Sequence, residues 1–193
     1  MAKRVFFSFH YDDVKDFRAN VVRNHWVMKP GREISGYYDA SIWESARKQG
    51  SIALKRLINN GLDQTSNTCV LIGSETFARP WVRYELLKSF KKGNHIFGVH
   101  INSIRSKDRT TKPLGPNPLE YLGVSFSGNG KTATLWEKTS GGWKKYEEID
   151  GTSSHAVEVS REFHGKGFNL GHFCETYDWI DDDGYDNFSD WVG

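Results

Sequence analysis

An apolar strand passes directly into a helix between Val70 and Leu86, and this order constrains the fold more than any other part of the chain. The strand ends at Gly73 and Ser74, which are turn-forming residues. Pro80 then suits the first turn of a helix, because its ring fixes φ near a helical value. A strand, a short loop and a helix in this order form the repeating unit of α/β folds.

Glu85 stands on a stripe of this helix that differs from the apolar stripe. Trp81 and Glu85 are four residues apart, so the indole and the carboxylate lie one above the other. The apolar residues at helical spacing are Val82, Leu86 and Phe90. We therefore expect Glu85 to point away from the core, toward the carboxyl end of the sheet, where open α/β folds bind ligands. Its position alone would also fit a solvated glutamate.

Strands and helices alternate through the first hundred residues. Apolar runs predict strands at Val5–Phe9, Tyr37–Tyr38, Thr68–Ile72 and Ile96–Ile101. Helices are predicted from Asp12 or Asp13 to Trp26, from Ile52 to Leu62 and from Pro80 to Lys92, and Ala40–Gly50 is predicted to be a loop or a broken helix. This alternation favours an α/β fold with a parallel sheet covered by helices on both faces.

The pattern changes after Asn102. Residues 103–117 are polar and predict a loop, and Gly123–Trp136 predicts a β-hairpin around the two-residue turn Asn129–Gly130. We expect one domain over residues 1–122, on which residues 123–193 pack as a small antiparallel β addition and a C-terminal extension. The tryptophans of this second part should be buried against that domain: Trp136, Trp143, Trp179 and Trp191.

Composition excludes several classes of function. A net charge of +2 over 193 residues is too balanced for a nucleic-acid-binding surface. No apolar run approaches the roughly 20 residues of a membrane span. Only two cysteines occur, and Cys69 lies inside an apolar strand, so a buried free thiol and a cytoplasmic location are expected. His10 has no partner at metal-ligand spacing, so no metal site is predicted.

The strand-to-helix segment resembles the catalytic box of TIR domains, Ser-x-x-Phe/Tyr followed by Trp-x-x-x-Glu-Leu. Here the box reads Ser74-Glu75-Thr76-Phe77 and Trp81-Val82-Arg83-Tyr84-Glu85-Leu86. Arg4–Asp13 is similar to the opening strand of the family, Gly36–Asp39 to its second strand and Ile96–His100 to its fourth. Over its whole length the chain resembles the TIR proteins of the bacterial Thoeris anti-phage defence system.

This resemblance implies a flavodoxin-like fold and an enzyme that cleaves the nicotinamide–ribose bond of NAD. NAD would be the substrate, so no separate cofactor is expected. Glu85 would be the catalytic residue, because a carboxylate beside the ribose can stabilise an oxocarbenium-like transition state. Nicotinamide leaves from a pyridinium, so the reaction needs no general acid.

Further side chains are predicted to border the substrate: Phe9, His10, Asp39, Ser41, Trp43, Ser74, Trp81 and Tyr84. Phe9, His10 and Asp39 end strands at one edge of the sheet. Ser41 and Trp43 lie in the BB loop after the second strand, which in TIR proteins borders the pocket and contacts neighbouring domains. Each of three residues could equally have a structural role. Trp81 could be a core aromatic residue, Asp39 could cap a helix or form a turn, and Trp43 could pack against its local neighbours.

The resemblance also implies partners. The product would be a cyclic ADP-ribose isomer that diffuses to the effector ThsA, after a phage-derived trigger and with possible TIR–TIR self-assembly. Two other classes stay open from the sequence: a non-enzymatic TIR scaffold, and a TIR NAD hydrolase acting as a toxin. A receiver domain shares this topology, but its phosphoacceptor aspartate would stand where this chain has Gly73-Ser74.

Overall fold

The computed structural model describes residues 3–35 and 40–193, in which ten strands and six α-helices occur. The strands are β1 Lys3–Phe9, β2 Arg32–Ser35, β3 Asn67–Ile72, β4 His95–His100, β5 Leu122–Phe126, β6 Thr132–Thr139, β7 Gly142–Lys145, β8 Ser154–Ala156, β9 Gly167–Asn169 and β10 Thr176–Asp178. The helices are α1 Tyr11–Lys15, α2 Arg18–Val27, α3 Ala40–Gln49, α4 Ser51–Asp63, α5 Pro80–Lys92 and α6 Gly184–Trp191.

A parallel sheet with the strand order β10-β4-β3-β1-β2 forms the centre of the fold. Its central strands are apolar along their length because both faces are covered; Phe6 and Phe7 are both fully buried although they point to opposite faces. This arrangement confirms the predicted α/β class. The predicted strand at Tyr37–Tyr38 lies outside the described residues, and the strand that pairs with β1 on this side is β2.

Two helical predictions were wrong. The single helix predicted from Asp12 or Asp13 to Trp26 is broken into α1 and α2, because Phe17 adopts a left-handed φ of 67°. The break turns Arg18 inward, where its side chain donates hydrogen bonds to the carbonyl oxygens of Ile104 and Thr110, both at 2.9 Å. The segment predicted as a loop or broken helix forms the continuous helix α3, which packs against α4.

The two faces of the parallel sheet have separate cores. On one face, α4 and α5 pack on the sheet, and their apolar core continues into the antiparallel sheet through Leu122, Val124 and Leu135. On the other face lie α2 and α6, where Phe188 stacks on Phe7 at a centroid distance of 6.1 Å. The catalytic-box helix α5 is therefore held between the parallel sheet and the antiparallel one.

The C-terminal residues complete the parallel sheet. β10 pairs with β4 in parallel register, and α6 places Phe188 and Trp191 in the core beside Trp179. The domain boundary at residue 122 stays a prediction, but residues 1–122 by themselves lack the fifth strand and one covering helix. Trp143 is 47% exposed, so the prediction that it is buried was wrong; it lies on the outward face of a sheet edge strand.

The predicted hairpin belongs to a larger antiparallel sheet of order β7-β6-β5-β9, in which β8 also pairs with β6. The connection between β5 and β6 spans residues 127–131, so the predicted two-residue turn was wrong. The Ser127 hydroxyl accepts hydrogen bonds from the backbone N–H groups of Lys131 and Thr132, which stabilises this longer loop. Among the described residues, no helix is long and apolar enough to cross a membrane.

Candidate active site

A cavity of about 330 Å³ opens where β1 ends and α5 begins. Its size falls within the range of small-molecule sites. The residues that line it are Phe7, Phe9, His10, Tyr11, Trp43, Arg47, Arg79, Pro80, Trp81, Val82 and Glu85. These residues come from β1, α1, α3 and the start of α5, so the cavity forms only when four elements meet.

Glu85 lies at the buried side of this cavity. Its side chain is only 6% exposed, which excludes the alternative of a solvated helix residue. Ser8, fully buried in β1, donates a hydrogen bond from Oγ to Glu85 Oε2 over 2.5 Å. This bond fixes the carboxyl group against the sheet, because it joins the end of β1 to the second turn of α5.

Burial makes Glu85 a weaker acid than an ordinary glutamate. Removal of its carboxyl group from water raises its pKa to about 8, although the hydrogen bond from Ser8 lowers the pKa in part. At neutral pH in the free protein the carboxyl group is therefore mostly protonated. A cationic ligand beside it would favour the ionised form and lower the pKa again.

Several aromatic side chains form part of the wall of the cavity that contains Glu85. Phe9, Tyr11, Trp43 and Trp81 all line it. Trp81 also packs against the apolar core and makes an edge contact with the Tyr84 ring at 6.1 Å, so it serves both of the roles that the sequence left open. Flat apolar walls of this kind suit the planar ring of a nucleotide base or a pyridinium.

Three basic side chains accompany these aromatic residues. Burial, followed by the nearby Arg79 charge, lowers the pKa of His10, so this imidazole is neutral at pH 7. Arg79 pairs with Glu75 at 2.8 Å and Arg47 pairs with Glu44 at 3.3 Å. The two guanidinium groups therefore carry the positive charge of the cavity.

Two predicted site residues do not line the cavity. Tyr84 is 3% exposed, and its hydroxyl group donates a hydrogen bond to Asn59 Oδ1 at 3.0 Å. Tyr84 and Glu85 are consecutive in the sequence, and on a helix consecutive side chains point about 100° apart. Ser74 instead donates from Oγ to the Pro113 carbonyl at 3.3 Å and accepts a hydrogen bond from Asn102, which anchors the loop after β4.

Two other predicted site residues, Asp39 and Ser41, were expected at the end of the second strand and in the BB loop after it. Asp39 lies outside the described residues. Ser41 belongs to α3 rather than to a loop, and its side chain is not among those described. Trp43, also in α3, does reach the cavity, which supports the prediction that this segment borders the substrate.

Ser8, Tyr11, Arg47 and Arg79 also belong to the site, although none of them was predicted from the sequence. Arg47 follows Trp43 by four residues, so helical spacing would have placed the two side chains on one face once α3 was known to be a helix. Ser8 carries no local signal, because its contact with Glu85 spans 77 residues of sequence. In the described part of the chain, no group of three or more His, Cys, Asp or Glu side chains could hold a metal ion.

Comparison with known proteins identifies a matching family model and a full-length relative. Residues 6–106 match the model of a family described as "Thoeris protein ThsB, TIR-like domain". The chain is also 53% identical over 192 residues to a protein of Bacillus cereus (strain MSX-D12), and the match covers 100% of both chains. That relative is named "Putative cyclic ADP-D-ribose synthase ThsB1". The matched family region contains Ser8, Arg47, Arg79 and Glu85.

Proposed function

Because this chain belongs to the ThsB family of Thoeris TIR-like proteins, we propose that it cleaves NAD and makes a cyclic ADP-ribose isomer for anti-phage defence. The enzyme releases nicotinamide and closes the remaining ADP-ribose on itself. A full-length relative named as a cyclic ADP-D-ribose synthase supports this product class. The same relationship argues against a non-enzymatic scaffold.

One structural observation carries the proposal: the carboxyl group of Glu85 is buried in an aromatic-walled cavity at the carboxyl edge of the sheet. The bond between nicotinamide and ribose breaks with its electron pair moving to the pyridinium nitrogen. Nicotinamide leaves as a neutral ring, and the positive charge passes to the ribose carbon. An ionised Glu85 beside that carbon would stabilise the charge more strongly than water does, because the site is buried.

The raised pKa of Glu85 also suits the second half of the reaction. A hydroxyl group of the adenine-side ribose attacks the cationic carbon, forms the new C–O bond and loses its proton. A carboxylate of raised pKa is a better proton acceptor than an ordinary one. The overall reaction converts NAD into the cyclic product, nicotinamide and one proton.

Cyclisation and hydrolysis differ only in the nucleophile that reaches the ribose carbon. Attack by the distal ribose hydroxyl requires a folded NAD molecule and exclusion of water. Phe9, Trp43 and Trp81 line the space around Glu85, and their apolar surfaces would limit the access of water to the ribose carbon once the substrate is bound. The cavity therefore favours the cyclic product over free ADP-ribose.

We extend the proposal to signalling in the cytoplasm. The cyclic product would act as a diffusible signal for the effector ThsA, and a phage-derived trigger would start synthesis. TIR–TIR assembly would offer a physical route for control, because α3 carries two cavity-lining residues, Trp43 and Arg47. A contact that shifts α3 would change the shape of the substrate cavity.

Mass spectrometry of NAD incubated with the purified protein tests the proposed activity. The incubation is made with and without lysate from phage-infected cells. We expect nicotinamide and a product of cyclic ADP-ribose mass from the wild type, and neither from Glu85→Gln. The exposed substitution Glu158→Gln serves as the matched control and should behave like the wild type. Free ADP-ribose as the sole product would establish a hydrolase instead.

A further inference from the structure

Arg47 and Arg79 line the Glu85 cavity from two separate elements. Arg47 lies on α3, one turn after Trp43, and Arg79 is the residue that immediately precedes α5. Elsewhere on the described cavity wall the ionisable groups are His10, Tyr11 and Glu85. His10 and Glu85 are both mostly neutral near pH 7, as described above. The cavity therefore has two positive charges that no lining carboxylate neutralises.

The partners that the two guanidinium groups have in this structure are weakly held. Glu75, which pairs with Arg79, is 67% exposed, and Glu44, which pairs with Arg47, is 52% exposed. Exposed ion pairs of this kind stabilise a fold very little. Either arginine can therefore exchange its glutamate for an anionic ligand at small cost.

Arg79 also has an unsatisfied donor. Its Nε atom is buried and has no hydrogen-bond partner among the described residues, while Nη2 is bonded to Glu75. A buried donor without an acceptor is costly in free energy, so an acceptor supplied by a ligand would relieve this cost. Guanidinium groups bind phosphate oxygens through two parallel N–H donors, which uses Nε together with an Nη atom.

We infer that Arg47 and Arg79 bind the diphosphate of the dinucleotide substrate and hold both of its ribose ends within one cavity. This inference rests on the proposed NAD substrate, in which the diphosphate is the only anionic part and lies between the two riboses. Glu85 takes the positively charged end of the same molecule. The cationic ring favours the ionised form of Glu85, so in the complex the cavity presents opposite charges that match those along the substrate.

A diphosphate held at its centre has a consequence for the product. The distal ribose hydroxyl reaches the glycosyl carbon only if the substrate bends at the diphosphate. Two arginines on separate elements fix that bend before the nicotinamide bond breaks. Without them, the extended substrate would leave the cation to solvent water, which forms the C–O bond, releases a proton and gives linear ADP-ribose.

Binding and turnover experiments on Arg47→Gln, Arg79→Gln and the double variant test this inference. Isothermal titration calorimetry compares ADP, which carries the diphosphate, with adenosine, which lacks it. We expect each single substitution to weaken ADP binding about tenfold and to leave adenosine binding unchanged. Arg161→Gln, an exposed arginine away from the cavity, should leave both unchanged, and Arg79→Lys should recover part of the loss.

Turnover gives a second readout. For NAD, kcat/KM should fall about tenfold and the ratio of cyclic to linear product should drop, whereas cleavage of nicotinamide riboside, which has no phosphate, should stay unchanged. Thermal unfolding checks that each variant is folded. Unchanged ADP binding in the folded double variant would overturn the inference, as would wild-type protein that binds ADP no better than adenosine.

The two proposals fail in different ways. If the wild type binds ADP through these arginines but releases no nicotinamide from NAD under any condition, the proposed activity is wrong and the diphosphate site stands. If the wild type makes the cyclic product and the double variant makes it with the same kcat/KM and product ratio, the activity stands and the arginine inference is wrong.

Discussion

Ser8 Oγ donates a hydrogen bond to Oε2 of Glu85 over 2.5 Å, so the first strand of the sheet holds the carboxyl group of the catalytic-box helix. Both side chains are buried, which strengthens this contact relative to one in water. The bond also opposes the effect of burial on Glu85, because it stabilises the ionised carboxylate. Ser8 therefore positions Glu85 and keeps part of it ionised near neutral pH.

Substitution Ser8→Ala should lower kcat/KM at pH 7 about tenfold. Loss of the hydrogen bond to the Glu85 carboxylate should raise the pKa of Glu85 by roughly one unit, so about tenfold less of the enzyme is ionised at this pH. The pKa of Glu85 should rise, so the loss should shrink as the pH rises above 8. A pH profile of nicotinamide release by both proteins measures this shift. The exposed Ser160→Ala provides the control. A loss that is equal at every pH would show that Ser8 acts only through packing.

Glu85→Gln should stabilise the protein at alkaline pH. The pKa of Glu85 is about 8 in the folded chain against 4.5 for an ordinary glutamate, so the folded state binds more protons than the unfolded state between these values. The free energy of unfolding of the wild type therefore falls as the pH rises through this window. Glutamine does not titrate, so the variant avoids this fall.

Chemical denaturation at several pH values measures this difference. The stability of Glu85→Gln relative to the wild type should increase by a few kcal/mol between pH 5 and pH 8.5 and level off above that. Other titrating groups are common to both proteins and cancel in the comparison. A difference that does not change with pH would contradict the buried, weakly acidic state of Glu85.

Tyr84→Phe should leave NAD turnover unchanged, because Tyr84 points to Asn59 and not into the cavity. Its expected cost is a stability loss of about 1 kcal/mol, since the Asn59 amide oxygen loses its donor. Steady-state kinetics and thermal unfolding of the same preparation separate the two effects. A raised KM with unchanged stability would return Tyr84 to the substrate site where the sequence pattern had placed it.

Truncation after Asn117 should give an insoluble or molten product. The shorter chain keeps every cavity-lining residue but loses β10, α6 and the antiparallel sheet that covers α5. The fully buried side chains of Trp179 and Phe188 are each worth roughly 1.5–3 kcal/mol. Near-ultraviolet circular dichroism and thermal unfolding of residues 1–117 test this. A cooperative transition close to that of the full chain would show a detachable extension.

Much of the central fold follows from sequence because its elements have strong local signals. The runs Val5–Phe9 and Thr68–Ile72 are apolar on both faces, and Pro80–Lys92 has a proline start and a glycine stop. Neither β10 nor α6 was predicted. For β10 the reason is that it has only three residues and that its hydrogen bonds go to β4, more than 70 positions earlier. Short strands of this kind are defined by tertiary pairing rather than by local pattern.

The residues of the candidate site also fall into two groups, those that local sequence patterns predict and those that only the folded structure brings together. Glu85 and Trp81 were predicted because they share one helical stripe and because the sequence around them, Trp81 to Leu86, resembles the TIR catalytic box. Tyr84 was wrongly predicted to border the substrate because it is next to Glu85 in the sequence, although consecutive residues of a helix point to different faces. Ser8, Arg47 and Arg79 were missed because their approach to Glu85 depends on how β1, α3 and α5 meet in space. Residue type alone does not encode such distances.

Nicotinamide release by wild type and by Glu85→Gln, measured from pH 6 to pH 9 at limiting NAD, tests the central claim most directly. We expect the kcat/KM of the wild type to rise with pH through about 8, the pKa of the free-enzyme Glu85, and then to level off. Glu85→Gln should be slower on the order of a hundredfold or more and should lack this rise. Wild-type rates in Glu85→Gln, with the same pH profile, would show that the buried carboxylate takes no part in cleavage.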